Sequence, residues 1–305
     1  MRSWRLTRPL DLRATLGPLS RGGYDRTVFV RSGAELWRAT RTPLGPATER
    51  IGVNGETVTV EAWGEGSDWL LEHAPELLGE HDDDGGLVAH HELVTHLRRR
   101  FPGLRIGRTL AVFEALLPTV LEQKVTGREA RQSYGALLRH WAEPAPGPAP
   151  PGARPLWLPP HPKVVTDTPS HVFHAHNVER KRSDTIRRAA SYAHRLEEAA
   201  ATAIGEGASN ALSRKLLTLT GVGPWSVAEV AAAAIGDADA VSVGDYHLKN
   251  TVSWNLAGEA RGTDERMIEL LEPYRPHRGR VVRLIELGGR AAPAYGPRMT
   301  IQTRW

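Results

Sequence analysis

Runs of alternating apolar and polar residues mark the first quarter of the chain. Residues 27–31, 35–39 and 57–63 are rich in β-branched or aromatic side chains and partly alternating, which is typical of strands. The pair Asn54 and Gly55, just before the third run, favours a tight hairpin turn. The pattern therefore predicts a small antiparallel sheet, followed by one or two helices.

From about residue 90 onward, the apolar positions recur at helical spacing. The largest apolar helical segment begins at Leu110 and contains Pro118, which predicts a kink or a helix start. Residues 143–162 are rich in proline, alanine and glycine, and predict an extended, exposed connector. Further helical segments are predicted at 126–141, from about 183 to 203, and from about 276 to 287.

These patterns divide the chain into three parts and define an α+β fold class. A small mixed β-sheet domain is predicted for residues 1–95, and a polar break at 81–86 marks its end. A mainly helical domain is predicted for 96–290. Residues 291–305 are predicted to be an irregular basic tail.

The most distinctive segment is a predicted helical hairpin at about residues 210–235. Leucines at helical spacing lead into Gly221, Val222, Gly223 and Pro224. The glycines leave backbone amides bare, and proline suits the first turn of the next helix. Amides at a helix N-terminus bind anions, so this turn is suited to a DNA phosphate. An ordinary corner between two helices is the alternative interpretation.

Composition narrows the possible functions. The 305-residue chain has a formal net charge of +4, compatible with a polyanionic partner, and no cysteine. Disulfides and cysteine-ligated zinc or iron–sulfur sites are therefore excluded. The sequence has no apolar run that could span a membrane and no secretory signal, so we expect a cytoplasmic protein, at the nucleoid when bound to DNA. Histidines and aspartates at residues 81–91 lack a recognised ligand spacing, and we predict no metal site there.

Together with residues 243–246, which contain Asp245, the hairpin closely resembles the signature of helix-hairpin-helix DNA glycosylases. Residues 121–126 and 274–280 are similar to patches of the 3-methyladenine DNA glycosylase II type. The resemblance covers about 100–290 by motif. It implies a helix-hairpin-helix glycosylase domain that flips alkylated purines, such as 3-methyladenine or 7-methylguanine, out of duplex DNA and hydrolyses the N-glycosidic bond.

The resemblance assigns the chemistry to Asp245. A carboxylate there stabilises the positive charge that develops on the sugar and can activate water. Alternatively, Asp245 caps the helix that follows. Trp225 aligns with the lysine that attacks the sugar in bifunctional relatives, so the resemblance implies a glycosylase without lyase activity. Trp225 could stack on the extruded base or belong to the core.

Two carboxylates align with the base pocket. Glu229 and Glu286 occupy positions where well-known members place aromatic residues. They would attract a cationic base or indicate a different lesion.

Other positions align with residues that contact the DNA. Gln123 and Lys124 match the wedge that fills the gap left by the flipped base, although a solvated helix end is the alternative. In addition to the hairpin residues, Arg275 and Arg278 are candidate phosphate contacts, and a solvated surface position is the alternative interpretation for both.

The implied partner is damaged double-stranded DNA, bound by a monomer. The resemblance implies no cofactor except for a possible monovalent cation at the hairpin carbonyls, and no iron–sulfur cluster. Two other functions stay open: a glycosylase for another damaged purine, and a non-catalytic DNA-binding protein that uses the same hairpin.

Overall fold

The computed structural model of the protein describes residues 1–205 and 210–293. Of the predicted basic tail at 291–305, residues 294–305 lie outside the described residues. The strands are β1 (Arg2–Arg5), β2 (Val28–Ser32), β3 (Glu35–Thr42), β4 (Gly45–Asn54) and β5 (Thr57–Gly64). The helices are α1 (Leu12–Leu16), α2 (Ser67–Leu77), α3 (Glu92–Arg100), α4 (Val112–Glu122), α5 (Gly127–His140), α6 (Pro162–Asp167), α7 (Ser170–Ala175), α8 (Arg180–Ser191), α9 (Ala193–Gly205), α10 (Asn210–Leu217), α11 (Pro224–Ile235), α12 (Leu248–Ala257), α13 (Asp264–Leu271) and α14 (Arg278–Gly288), with 3₁₀ turns at Gly17–Leu19 and Glu272–Tyr274.

The strands form one antiparallel sheet in the order β1-β5-β4-β3-β2. The predicted sheet is confirmed, with the predicted turn after Asn54 joining β4 to β5. Strands β1 and β4 were not predicted. In the middle of β4, the buried Glu49 and Ile51 alternate with the partly exposed Arg50 and Gly52, but the charged residues hide this pattern in the sequence.

Both faces of the sheet are covered. Leu36 and Ile51, fully buried, pack on one face against residues of α1 and α2. On the other face, Trp37 packs with Leu156 and Leu158 of the proline-rich connector. The structure thus differs in part from the expectation of an exposed connector. Residues 143–155 of the connector are largely exposed, but Leu156 and Leu158 complete the core of the sheet domain.

Helix α4 lies at the centre of the helical part, and packs against α5, α8, α9 and α11. It is apolar on nearly all sides, as a fully surrounded helix must be. Pro118 is buried inside this helix rather than at its start. The first amides of α4, those of Val112 and Phe113, donate to the two oxygens of Glu197 at 2.9 and 3.0 Å.

A second apolar cluster joins α3 to α12, α13 and α14. The predicted domain boundary between residues 95 and 96 falls within α3, which spans Glu92–Arg100 and packs on α14. A buried ion pair also links the two sides of this boundary. The Oδ2 of Asp82 accepts from the Nη1 of Arg280 at 2.9 Å, and both side chains are buried. None of the helices described is both long and apolar enough to cross a membrane.

Replacing Glu197 with glutamine tests the cost of burying this carboxylate. Burial raises the pKa of Glu197 from 4.5 to about 7, although its two backbone hydrogen bonds oppose the shift. Because the pKa of Glu197 is higher in the folded protein than in the unfolded chain, the protonated side chain favours folding. This stabilisation is complete at a pH below the pKa of the unfolded chain, and is lost as the pH rises through the pKa of the folded protein. The shift corresponds to at most about 3 kcal/mol.

We therefore expect the free energy of unfolding of the wild type, measured with urea between pH 5 and pH 8, to fall more steeply with pH than that of Glu197→Gln. Glu198→Gln is the matched control, since the neighbouring Glu198 side chain is 63% exposed. Identical slopes for all three proteins would contradict the assignment.

Candidate nucleic-acid interface and catalytic site

The hairpin turn between α10 and α11 is held tightly against α8. Gly221 has a φ of +95°, and a Cβ at this position would lie 2.0 Å from the Oγ1 of Thr185. Gly223 is different, because its backbone is extended and a Cβ would meet nothing within 4 Å. It precedes Pro224, the first residue of α11, and extended backbone is what a residue before proline prefers. Gly221 is thus required by space, and Gly223 is not.

The turn contains two backbone amides that could bind an anion. Among the described residues, no acceptor meets the backbone N–H of Gly221 or Gly223. Both are suited to an anion, as the sequence predicted. The structure differs from the expectation at Val222, since its amide donates to the carbonyl of Leu219 at 3.0 Å and its side chain is buried. Val222 therefore anchors the turn in the core rather than offering an amide to phosphate.

Side-chain donors surround the carbonyls of the turn. The Thr220 carbonyl accepts from the Nη1 of Arg188 at 2.8 Å and from the Oγ1 of Thr185 at 3.3 Å. The Gly221 carbonyl accepts from the Nε2 of Gln123 at 2.9 Å. The guanidinium beside the Thr220 carbonyl would repel a second cation at that atom, and the monovalent cation that the resemblance implied at the hairpin stays a prediction.

Gln123 and Lys124, the predicted wedge, differ in their surroundings. The amide of Gln123 is committed to the hairpin, because its Nε2 also donates to the Oγ of Ser226 at 2.9 Å. Lys124 is exposed at the tip of the turn after α4, with a φ of 56°. Positive φ is uncommon for a residue with a Cβ, and such strain is concentrated at functional turns. Of the two, Lys124 has the exposed side chain, and its role as a wedge stays a prediction.

Asp245 lies in the loop before α12, and fixes the local backbone. Its Oδ1 accepts from the amides of His247 and Leu248, both at 2.7 Å. This is the capping geometry that was the alternative interpretation of the sequence. Only Oδ1 is used among the described residues, so capping leaves Oδ2 available for other chemistry.

Burial and neighbouring charges affect both predicted pocket carboxylates, Glu229 and Glu286. Burial raises the pKa of Glu229, and the charges of Glu286 and Glu122 raise it further. Partial burial raises the pKa of Glu286, and the negative charge of Asp245 raises it further. The Glu286 side chain is 48% exposed. The structure therefore brings Asp245, Glu229 and Glu286 into one electrostatic group.

Residues that the sequence did not single out complete this group. Glu122 ends α4, and its Oε1 lies 3.2 Å from the Nη1 of Arg21. Arg283 of α14 lies 3.3 Å from an oxygen of Glu286, and Ser242 donates to Glu229. Since Arg21 belongs to the N-terminal part, about a hundred residues from Glu122, no local pattern could have linked them. Four carboxylates thus share the site with two guanidinium groups.

Trp225 is partly exposed at the start of α11. Its ring belongs neither to the aromatic pairs nor to the apolar clusters found among the described residues. This placement differs from the alternative of a core tryptophan. Stacking on a base stays a prediction.

Arg275 and Arg278 are both engaged with carboxylates. The Nη2 of Arg278 lies 2.7 Å from Asp239, and its side chain is only 14% exposed. Arg275 contacts Asp239 and Glu272, each at 3.1 Å. Their role as phosphate contacts stays a prediction, since DNA would have to compete with these ion pairs.

The histidines and aspartates of residues 81–91 are used within the fold. Asp82 is paired with Arg280, and the Nδ1 of His91 lies 2.5 Å from the hydroxyl of Tyr274. No group of histidine, aspartate and glutamate residues in 1–205 and 210–293 has an arrangement that could hold a metal ion.

Comparison with solved structures identifies the fold. The structure is similar to a 3-methyladenine DNA glycosylase from Archaeoglobus fulgidus, with a TM-score of 0.70 at 17% identity, over 93% of this chain and 97% of that one. It is also similar to MBOgg1 in complex with a low-affinity DNA ligand, with a TM-score of 0.71 at 15% identity, over 93% of each chain. An 8-oxoguanine glycosylase/lyase from Clostridium acetobutylicum gives a TM-score of 0.70 at 12% identity, over 93% of this chain and 94% of that one.

The chain therefore has the fold of the helix-hairpin-helix DNA glycosylases, which confirms the fold that the resemblance implied. No protein-family model matches the sequence, and no curated protein matches it.

Serine substitutions at the two hairpin glycines should differ in their effect on the free energy of unfolding. Gly221→Ser places a Cβ against Thr185 at a positive φ, and we expect it to lower the free energy of unfolding by about 1–3 kcal/mol. Gly223→Ser meets open space at a position that favours serine as an N-cap, so we expect a change within about 0.5 kcal/mol. Urea denaturation measures both. Equal losses in the two variants would show that the contact with α8 is not what requires glycine.

Proposed function

We propose that the protein is a monofunctional DNA glycosylase that removes alkylated purines from duplex DNA. The observation that carries the proposal is the geometry of Asp245, whose Oδ1 is fixed by two amides while Oδ2 stays available, beside a hairpin with two outward amides. The similarity in fold to several DNA glycosylases supports it.

In the proposed reaction, the hairpin amides of Gly221 and Gly223 bind a backbone phosphate and position the duplex. Lys124 enters the space left when the damaged nucleotide turns out of the stack. Base flipping requires such a replacement, because unstacking costs a few kcal/mol. The flipped nucleotide then brings its C1′ to Asp245.

Asp245 acts on the bond between C1′ and the base nitrogen. As that bond breaks, its electron pair leaves with the base and positive charge develops on the sugar, where the carboxylate stabilises it. The oxygen of a water molecule adds to C1′, and Asp245 accepts the proton. The products are a free base and an abasic site.

The carboxylate group supports a cationic purine as the substrate. An alkylated purine carries a positive charge that neutral 8-oxoguanine lacks. Burial raises the pKa values of Glu229 and Glu286, neighbouring carboxylates raise them further, and a cation beside them would stabilise their charged forms.

Trp225 supports a reaction without strand cleavage. It occupies the first turn of α11, where the resemblance aligns the lysine of bifunctional relatives. An indole cannot form the covalent Schiff base that lyase chemistry requires.

Asp245→Asn should abolish base release while sparing DNA binding. Asparagine keeps an oxygen to accept from His247 and Leu248, so the loop should hold its shape while the charge is lost. We expect the release of free base from methylated duplex DNA to fall at least about 100-fold, with the dissociation constant for the duplex within a few-fold of the wild type.

Asp11→Asn is the matched control, since Asp11 caps α1 by accepting from the amide of Ala14 at 2.8 Å.

The wild-type product strand should break only after alkali, because the abasic site is left intact. Wild-type protein that binds DNA but releases no base from any lesion would favour the non-catalytic alternative.

Glu229→Gln tests the choice of base. Removing one carboxylate should slow excision of cationic 7-methylguanine by roughly tenfold, equivalent to about 1.4 kcal/mol, and leave excision of neutral hypoxanthine unchanged. Glu56→Gln, at a carboxylate 69% exposed in the turn between β4 and β5, serves as the control. Faster release of 8-oxoguanine or hypoxanthine than of 7-methylguanine by the wild type would instead indicate the alternative class of lesion.

A further inference from the structure

Two residues on one face of α8 meet the hairpin turn. Thr185 and Arg188, one helical turn apart, both donate to the carbonyl of Thr220, at 3.3 and 2.8 Å. The Gly221 amide, which has no acceptor among the described residues, belongs to the same trans peptide unit as the Thr220 carbonyl and points away from it. The guanidinium of Arg188 is thereby fixed beside the hairpin turn, across the peptide from that amide.

Arg188 differs from the other arginines of α8. Arg182 is buried and donates to the carbonyl of Leu121 at 2.7 Å. Arg187 faces another element and donates from Nε to the carbonyl of Thr166 at 3.3 Å. Within the described residues, Arg188 has no carboxylate partner, and its bond to Thr220 lies at the surface.

The chemistry of the guanidinium group allows a second contact. Arginine carries five N–H donors in one plane, and Nη1 uses one of them on the Thr220 carbonyl. That bond restricts the rotation of the side chain, which lowers the entropy lost when the remaining donors bind. A phosphate oxygen can accept from several donors at once, and charge-assisted bonds of this kind are the stronger ones.

We propose that Arg188 is a further DNA-positioning residue, whose guanidinium contacts a backbone phosphate next to the one bound by the amides of Gly221 and Gly223. The proposal rests on the proposed function only in requiring that the hairpin binds duplex DNA, and not on the chemistry at Asp245. It gives the hairpin a full positive charge where backbone amides supply only partial charges.

The test measures how salt affects the binding of undamaged duplex DNA, because a phosphate contact releases counterions and a purely structural bond does not. Dissociation constants are determined over a series of KCl concentrations for wild type, Arg188→Ala, Arg188→Lys and Arg187→Ala. We expect Arg188→Ala to weaken binding to all duplex sequences alike, and to reduce the slope of log K against log salt by about 1.

Arg188→Lys should keep most of that slope, since it keeps the charge. Arg187→Ala should match the wild type. Weaker binding by Arg188→Ala with an unchanged slope, and no rescue by lysine, would overturn the proposal and leave Arg188 as a tie between α8 and the turn. Urea denaturation of each variant separates a loss of folding from a loss of contact. A wild type that fails to bind any duplex would overturn the DNA interface itself, which is a failure of the proposed function.

Discussion

The close approach of the hairpin turn to α8 is the constraint on which the site depends. Gly221 can lie against Thr185 only because it lacks a side chain, and its amide has no acceptor among the described residues. The same approach brings the Thr220 carbonyl within reach of Arg188. A wider gap would satisfy none of these contacts, so the shape of the turn and its position are set together.

Helix α8 also fixes the turn that follows α4. Arg182, on the same broad face as Thr185, is buried and holds the end of α4 through the Leu121 carbonyl. Gln123, two residues later, then bridges from that end to the Gly221 carbonyl. The strained Lys124 is therefore mounted on a helix that is itself buried on nearly every side. Because α4 is packed on nearly all sides, the surrounding contacts can hold Lys124 in a strained backbone conformation at the exposed end of the helix.

How far the sequence could predict these features depends on how local their causes are. The hairpin was predictable because glycine, proline and helical leucines specify a turn over a dozen residues. The sheet was predicted only where strands alternate clearly, and β4 was missed because its charged side chains form ion pairs within the sheet. Arg182 resembles a surface residue in sequence, and only the tertiary structure reveals its burial. Likewise, Arg21 and Glu122 meet through long-range packing, which no local pattern encodes.

In the proposed function, different charges bind the duplex and the base. Arg188 and the hairpin amides have no carboxylate partner among the described residues, which suits a polyanion, whereas neighbouring carboxylates raise the pKa values of Glu229 and Glu286 beyond the effect of burial. A flipped nucleotide would bring its base to these two carboxylates. A cationic base would stabilise their charged forms where a neutral base would not, so the charge of the base would affect its selection without changing the contacts with undamaged DNA.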